Sequence, residues 1–148
     1  MRSIKRIFVH CTAGNKRQIA ESLLYFFHHV KGWNNPGYHY VVEYDGKVVQ
    51  LAPEERVVNG VKGFNSTSIS IAYTGGIDDK GKACDTRSNA QKKAMRELLE
   101  ELRQRYPDAE ILGHRDISPD TNHNGIVDPW ERIKECPSFD AKKEYGDI

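Results

Sequence analysis

Two kinds of metal-binding residue occur together in the stretch GHRDISPDTNHNGIVDPWERIKECPSFD, residues 113–140. His114 opens it and Cys136 stands near its end, and imidazole and thiolate groups are typical ligands of transition metals. His10, which ends a β-rich segment, is a third candidate ligand. Three protein ligands leave a fourth position for water, which is the arrangement of catalytic zinc sites. These positions form no local signature, so spacing alone leaves open a second interpretation, two core histidines and a buried free cysteine.

A second metal pattern lies between His114 and Cys136. The segment DTNHNGIVDPWE, residues 120–131, matches the calcium-loop pattern D-x-[DN]-x-[DN]-G-x5-E, which presents oxygen atoms to a hard cation. Because two of these side chains are uncharged amides, we expect weak binding, in the micromolar to millimolar range. The oxygen ligands would be the side chains of Asp120, Asn122, Asn124, Asp128 and Glu131 and the carbonyl of Ile126.

The calcium interpretation has an alternative that uses the same residues. Asp128, Pro129 and Glu131 have the residue types of the N-cap and of the first and third positions of a helix. Asn124-Gly125 would then be a plain turn. The two interpretations can both hold, although the chain after His114 is too short for a helix that enters the loop.

The residues around the two histidines predict the strands that position them. SIKRIFVHC is a β-rich run that ends near His10, and AEILGH predicts a short strand that carries His114 at its C-terminal end. YHYVVEYDGKVVQL alternates apolar and polar residues about Asp45-Gly46, a dipeptide that favours a hairpin turn. TSISIAYTGG predicts a further strand.

Two helices are predicted between these strands. The first extends from about Arg17 to Val30, and the second, SNAQKKAMRELLEELRQRY, begins with a capping box of Ser88 and Gln91. Since strands and helices alternate, we expect an α/β fold with a single mixed β-sheet flanked by helices; the strand order is not encoded locally. The apolar positions of the first helix are Ile19, Ala20, Leu23, Leu24, Phe26, Phe27 and Val30.

The composition fits a globular protein and gives no reason to expect a nucleic-acid or membrane partner. The 148 residues, 38% hydrophobic and 29% charged, fit one domain over 1–148 with 120–131 as an insertion. A net charge of +1 gives no electrostatic reason for binding nucleic acid or a membrane, and no apolar run approaches the ~20 residues of a membrane span. Three irregularly spaced cysteines argue against a disulfide framework. The N-terminal segment lacks a secretory signal, so we expect the protein to be made in the cytoplasm. We also expect it to be a monomer.

Five blocks of the sequence carry a family resemblance. They are IFVHCTA, GWNNPGYHY, KGFNSTSISIAYTGGIDDKGK, GHRD and KECPSFD, in this order. Together they resemble the zinc-dependent N-acetylmuramoyl-L-alanine amidases of the phage-lysozyme type, which are relatives of the peptidoglycan recognition proteins. The resemblance covers roughly residues 4–140 and is interrupted mainly after Arg115. One departure affects substrate preference: VVNGVKGFN has Asn59 and Gly60 where family members commonly carry a histidine.

The resemblance implies a zinc site and the residues that act beside it. His10, His114 and Cys136 fall on the motif positions of the zinc ligands, and Tyr38 and Lys134 fall on positions that complete the active site. In these roles the Lys134 ammonium would stabilise an oxyanion, and the Tyr38 hydroxyl would orient the water or the tetrahedral intermediate. Without the motif, Tyr38 would be an ordinary cross-strand aromatic and Lys134 a solvated lysine. No Asp or Glu stands out as a general base.

The implied reaction is hydrolysis of the amide between the lactyl group of N-acetylmuramic acid and L-alanine in peptidoglycan. Zn2+ would be the cofactor, with Ca2+ as a second ion if residues 120–131 bind it, and peptidoglycan would be the partner. A chain without a secretory signal would reach the cell wall after lysis or through another export system. Two alternatives are a non-catalytic peptidoglycan-binding module, which tends to lack the cysteine ligand, and a calcium-regulated interaction protein, which would not explain the five blocks.

Overall fold

Five β-strands form one mixed sheet in the part of the chain that the structure describes. They are β1 (Arg6–Cys11), β2 (Tyr40–Val42), β3 (Val48–Gln50), β4 (Ser68–Tyr73) and β5 (Glu110–Gly113). The structure is a computed structural model, which describes residues 2–117 and 135–148. The spatial order is β3-β2-β4-β1-β5; β3 is antiparallel to β2, and the other neighbouring strands are parallel. The predicted mixed α/β sheet is confirmed.

The two central strands, β1 and β4, are buried on both faces. Every residue of these two strands except Arg6 is buried, which is typical of parallel strands that are covered from each side. Two serines, Ser68 and Ser70, interrupt the apolar run of β4, and each is only 2% exposed. Because buried hydroxyl groups are almost always hydrogen-bonded, these two serines must find partners inside the protein.

Helix α2 (Asn89–Arg105) packs in the main core and confirms the second predicted helix. The Ser88 hydroxyl accepts a hydrogen bond from the backbone N–H of Gln91, and the Ser88 N–H donates to the Gln91 side chain. The predicted capping box is therefore present, and it starts the helix at the expected residue. The residues of its apolar stripe with no exposed surface are Met95, Leu99 and Leu102.

The first predicted helix is shorter and less regular than its apolar pattern indicates. Helix α1 (Ala20–Tyr25) continues as a π-helical turn (Phe26–Val30), and no α-helix extends from about Arg17 to Val30. A π turn contains about one more residue than an α turn, so it rotates the following side chains away from the 3.6-residue stripe. The buried residues of this segment are Ala20, Leu23 and Phe27, and its exposed apolar residues are Ile19, Leu24, Tyr25, Phe26 and Val30.

Short turns connect these elements. The hairpin between β2 and β3 turns at Asp45-Gly46 as predicted, and Gly46 has a φ of +91°, which favours glycine. One 3-10 turn (Asn65–Thr67) leads into β4, and another (His114–Ile117) follows β5. Helix α3 (Ala141–Glu144) lies near the C-terminus. Within residues 2–117 and 135–148, no helix has the length and apolar character needed to cross a lipid bilayer.

Candidate metal centre and active site

His10 and His114 meet because their strands are parallel neighbours. His10 is the last residue but one of β1, and His114 follows directly after β5. The register pairs Val9 with Gly113, so the next residue of each segment lies at the same end of the sheet. The two imidazole ring centroids are 5.1 Å apart, with their planes at 77°. The sheet therefore brings together two candidate ligands that are far apart in the sequence.

Cys136 joins the two histidines from the C-terminal segment. Its sulfur lies 3.8 Å from Nδ1 of His10, and the backbone N–H of Arg115 donates to its carbonyl at 2.8 Å. The backbone N–H of Cys11 donates to the Cys136 sulfur at 3.1 Å, a contact that favours the thiolate form. The ligand atoms of His10, His114 and Cys136 all lie within 4.8 Å of one another.

The donor set and its spacing fit a zinc ion. Zinc prefers imidazole nitrogen and thiolate sulfur in a tetrahedral arrangement, with bonds of about 2.0–2.1 Å to nitrogen and 2.3 Å to sulfur. These bond lengths place the nitrogen and the sulfur about 3.6 Å apart. The 3.8 Å between His10 Nδ1 and Cys136 Sγ is close to that separation. Three such ligands leave the fourth tetrahedral position for water.

Tyr38 lies against His10, just before β2. The centroids of the two rings are 5.1 Å apart, and the Tyr38 ring also meets the edge of Phe27 at 5.6 Å. Its hydroxyl donates to the Cys11 carbonyl at 3.3 Å. Burial raises the pKa of Tyr38 well above its ordinary value, and negative charge at Cys136 raises it further. At neutral pH this hydroxyl is therefore a neutral hydrogen-bond donor beside the cluster.

The three candidate ligands and Tyr38 line one cleft of about 440 Å³. Phe26, Phe27 and Trp33 form an aromatic wall, in which the Phe27 and Trp33 rings are stacked at 5.5 Å. The ammonium of Lys31 lies 5.7 Å from the Trp33 ring centroid. Among the described residues that line the cleft, Lys31 is the only lysine or arginine, and there is no aspartate or glutamate. This part of the cleft suits a neutral or anionic substrate and offers no carboxylate as a general base.

The cleft also contains residues for which the sequence predicted no role in a functional site. Lys31 and Trp33 flank Gly32, and Phe26 belongs to the π-helical turn. A signal was available in the aromatic cluster of FFHHVKGW, since exposed aromatic residues often mark binding surfaces. The helical stripe instead assigned Phe26 to the core, and the structure corrects this because Phe26 is 38% exposed.

Two groups of predicted site residues lie outside the described part of the chain. Lys134, the expected oxyanion-stabilising residue, is one of them. The other is the whole calcium-like segment, residues 120–131, with its six candidate ligands. The structure therefore brings together His10, His114, Cys136 and Tyr38 and does not place the others.

The sequence matches one protein family along most of its length. The family model described as N-acetylmuramoyl-L-alanine amidase, Amidase_2, matches residues 1–137. The chain belongs to this family. The endolysin of Klebsiella phage KP32 is 35% identical to the amidase over 139 residues, which are 93% of this chain and 83% of the endolysin.

Solved structures with the same fold include an endolysin and a peptidoglycan recognition protein. The Ph2119 endolysin, from a bacteriophage of Thermus scotoductus MAT2119, matches the amidase with a TM-score of 0.76 and 28% identity. That match covers 99% of this chain and 85% of the endolysin. Bumblebee PGRP-SA matches with a TM-score of 0.74 and 15% identity, over 99% of this chain and 83% of that one, and so shares the fold.

The family membership confirms the activity implied by the five sequence blocks. The amidase hydrolyses the amide between N-acetylmuramic acid and L-alanine, and its substrate is peptidoglycan. The alternative of a non-catalytic binding module is disfavoured, because the cysteine that such modules tend to lack is present and lies beside both histidines. The alternative of a calcium-regulated interaction protein does not account for the family match.

Proposed function

We propose that the amidase is a zinc hydrolase and that His10, His114 and Cys136 hold its ion. The convergence of their ligand atoms within 4.8 Å carries the proposal. The hydrogen bond from the Cys11 N–H to the Cys136 sulfur supports it, because such a bond is expected at a thiolate ligand. Zinc in such a site supplies a water of lowered pKa and polarises the scissile carbonyl.

Tyr38 is proposed to donate a hydrogen bond to the oxygen that gains negative charge during amide cleavage. Its raised pKa keeps the hydroxyl protonated, and its contact with the His10 ring keeps it beside the reacting groups. Donors aimed at a developing oxyanion lower the barrier because the charge forms in a site already arranged to receive it. Lys134, two residues before Cys136, is proposed as a second donor to the same oxygen, on the strength of its motif position.

The aromatic wall of the cleft is proposed to hold the substrate beside the ligand cluster. Aromatic faces of Phe26 and Trp33 suit the apolar faces of sugar rings and the side chains of the stem peptide. We propose that the amidase works as a monomer, without a nucleic-acid or membrane partner, and that it reaches the wall on lysis. The net charge of +1 gives no electrostatic reason for a nucleic-acid or membrane partner, and the endolysin relatives support release on lysis.

A calcium ion is proposed to bind residues 120–131. The support is the complete match of this segment to the calcium-loop pattern. The segment lies between His114 and Cys136, so a bound ion would order the chain that carries Lys134 and Cys136 to the site. Calcium prefers oxygen and zinc prefers nitrogen and sulfur, so the two ions would not compete for one set of ligands.

Metal analysis of the Cys136→Ser variant tests the zinc site. We expect one zinc ion per chain in the unmodified amidase and little zinc or activity on defined muropeptides in the variant, with products identified by mass spectrometry. Cys84→Ser is the matched control, because Cys84 is exposed and outside the cluster, and it should retain both zinc and activity. Full zinc occupancy in Cys136→Ser would remove Cys136 from the site.

A further inference from the structure

One ring nitrogen of His10 faces Cys136, and the other faces Ser70. Nδ1 lies 3.8 Å from the Cys136 sulfur, whereas Nε2 lies 3.1 Å from the Ser70 hydroxyl oxygen. Both His10 and Ser70 are almost completely buried, at 1% and 2% exposure. A histidine that binds a metal through Nδ1 must carry its proton on Nε2, and that buried N–H needs an acceptor.

The Ser70 hydroxyl has room beside His10 because residue 60 is a glycine and has no side chain. A Cβ atom on Gly60 would lie 2.3 Å from the Ser70 oxygen and 3.0 Å from the carbonyl oxygen of Gly37. Gly60 does not have a left-handed φ, so the requirement for glycine is steric rather than conformational. Any larger residue at position 60 would push the hydroxyl away from His10.

The backbone of Ser70 is held by a different histidine. The Ser70 N–H donates to Nδ1 of His39 at 3.1 Å, and the His39 N–H donates to the Ser70 carbonyl at 2.8 Å. Since Nδ1 of His39 accepts, its Nε2 carries the proton and donates to the Arg56 carbonyl at 2.7 Å. With its backbone fixed in this way, Ser70 presents its hydroxyl at a defined place beside His10.

We propose that Ser70 is a positioning residue for the metal ligand His10, and that Gly60 is the steric complement that admits its hydroxyl. The Ser70 oxygen accepts the Nε2–H of His10, which holds the ring in the tautomer with its lone pair on Nδ1 and restricts rotation of the ring. The inference rests on the proposed zinc site and assigns a role to residues that are not themselves ligands. Partners of this kind typically contribute 10–100-fold to metal affinity.

Zinc affinity of the Ser70→Ala variant, measured by competition with a chromophoric chelator, tests the proposal. We expect affinity to fall by about 10-fold or more. Ser68→Ala is the matched control: Ser68 is equally buried and lies on the same face of β4, but its hydroxyl donates to the Phe64 carbonyl at 2.7 Å. It should keep the affinity of the unmodified protein. Equal affinities of Ser70→Ala and unmodified amidase, or equal losses in both variants, would overturn the proposal.

Gly60→Ala provides an independent variant that leaves the hydroxyl in the chain. It should weaken zinc binding when Ser70 is present and have a smaller effect in a Ser70→Gly background, because the two Ser70 side-chain atoms that it would displace are then absent. Equal effects in both backgrounds would overturn the steric part of the proposal.

NMR of the unmodified amidase loaded with 113Cd tests the tautomer without a mutation. Coupling of the cadmium nucleus to Nδ1 of His10, with a slowly exchanging proton on Nε2, is expected. Coupling to Nε2 would overturn the role of Ser70 while leaving the metal site intact. Failure of the unmodified protein to bind zinc or cadmium would instead overturn the metal site itself.

Discussion

The Tyr38→Phe variant tests whether the Tyr38 hydroxyl acts in catalysis or only in folding. The substitution keeps the ring contacts with His10 and Phe27 and removes only the oxygen. That oxygen is 3.3 Å from the Cys11 carbonyl, longer than the usual 2.7–2.8 Å for such bonds, so its loss should cost at most about 1 kcal/mol of folding stability. If the hydroxyl donates to the oxyanion, kcat should fall by about 10²–10³, equivalent to about 2.7–4 kcal/mol of barrier.

The assay is steady-state hydrolysis of a defined muropeptide, with zinc content and melting temperature measured on the same preparations. Tyr40→Phe is the matched control, because the Tyr40 hydroxyl donates to the Glu54 carboxylate and does not line the cleft. It should lower the melting temperature more than Tyr38→Phe does, since bonds to charged groups are stronger, and leave kcat unchanged. A Tyr38→Phe variant with kcat within about threefold of the unmodified enzyme would refute the catalytic role, because a lost oxyanion donor costs far more.

Three further predictions concern Lys134, the calcium-like segment and an ion pair. Lys134→Ala should lower kcat by about 10²–10³ with zinc still bound, and a near-normal kcat would make Lys134 a surface residue. Millimolar Ca2+ should raise the melting temperature, and Asp120→Ala should remove the increase; calorimetry without detectable Ca2+ binding would favour the turn and helix cap. The hydrogen bond from Arg87 holds the pKa of the Glu144 carboxyl below its ordinary 4.5, so this bond stabilises the fold above that pH and is lost as the pH falls through the lowered pKa. Glu144→Gln should therefore lower the melting temperature at pH 7, by an amount that vanishes in acid; a difference that persists there would mean that the carboxylate charge is not involved.

Several features of the amidase can be predicted from short stretches of its sequence. The capping box at Ser88, the turn at Asp45-Gly46 and the strands that end near His10 and His114 all arise from residues close together in the chain. Such signals are readable because hydrogen bonds to neighbouring backbone groups and the period of the side chains are local properties. The types of the candidate ligands are equally visible, since imidazole and thiolate are the groups that zinc prefers.

The π-helical turn shows where a local pattern fails. The apolar residues of positions 19–30 fit one α-helical stripe, yet the structure turns Phe26 towards the cleft and leaves Val30 exposed. Phe27, which lies within this turn, packs against Trp33 and Tyr38. Trp33 and Tyr38 come from the following loop, so the apolar pattern of the helix alone could not indicate the π-helical turn.

The meeting of the ligands depends on the tertiary structure. His10 lies beside His114 because β1 is placed between β4 and β5, and strand order among parallel strands is set by packing between distant segments. Ser70 can be noticed in the sequence as a polar residue in an apolar strand. The contact of Ser70 with His10 and its dependence on Gly60 cannot be predicted from the sequence. These three residues come from separate segments, and the Ser70 hydroxyl occupies the space beside Gly60 only after the segments have packed together.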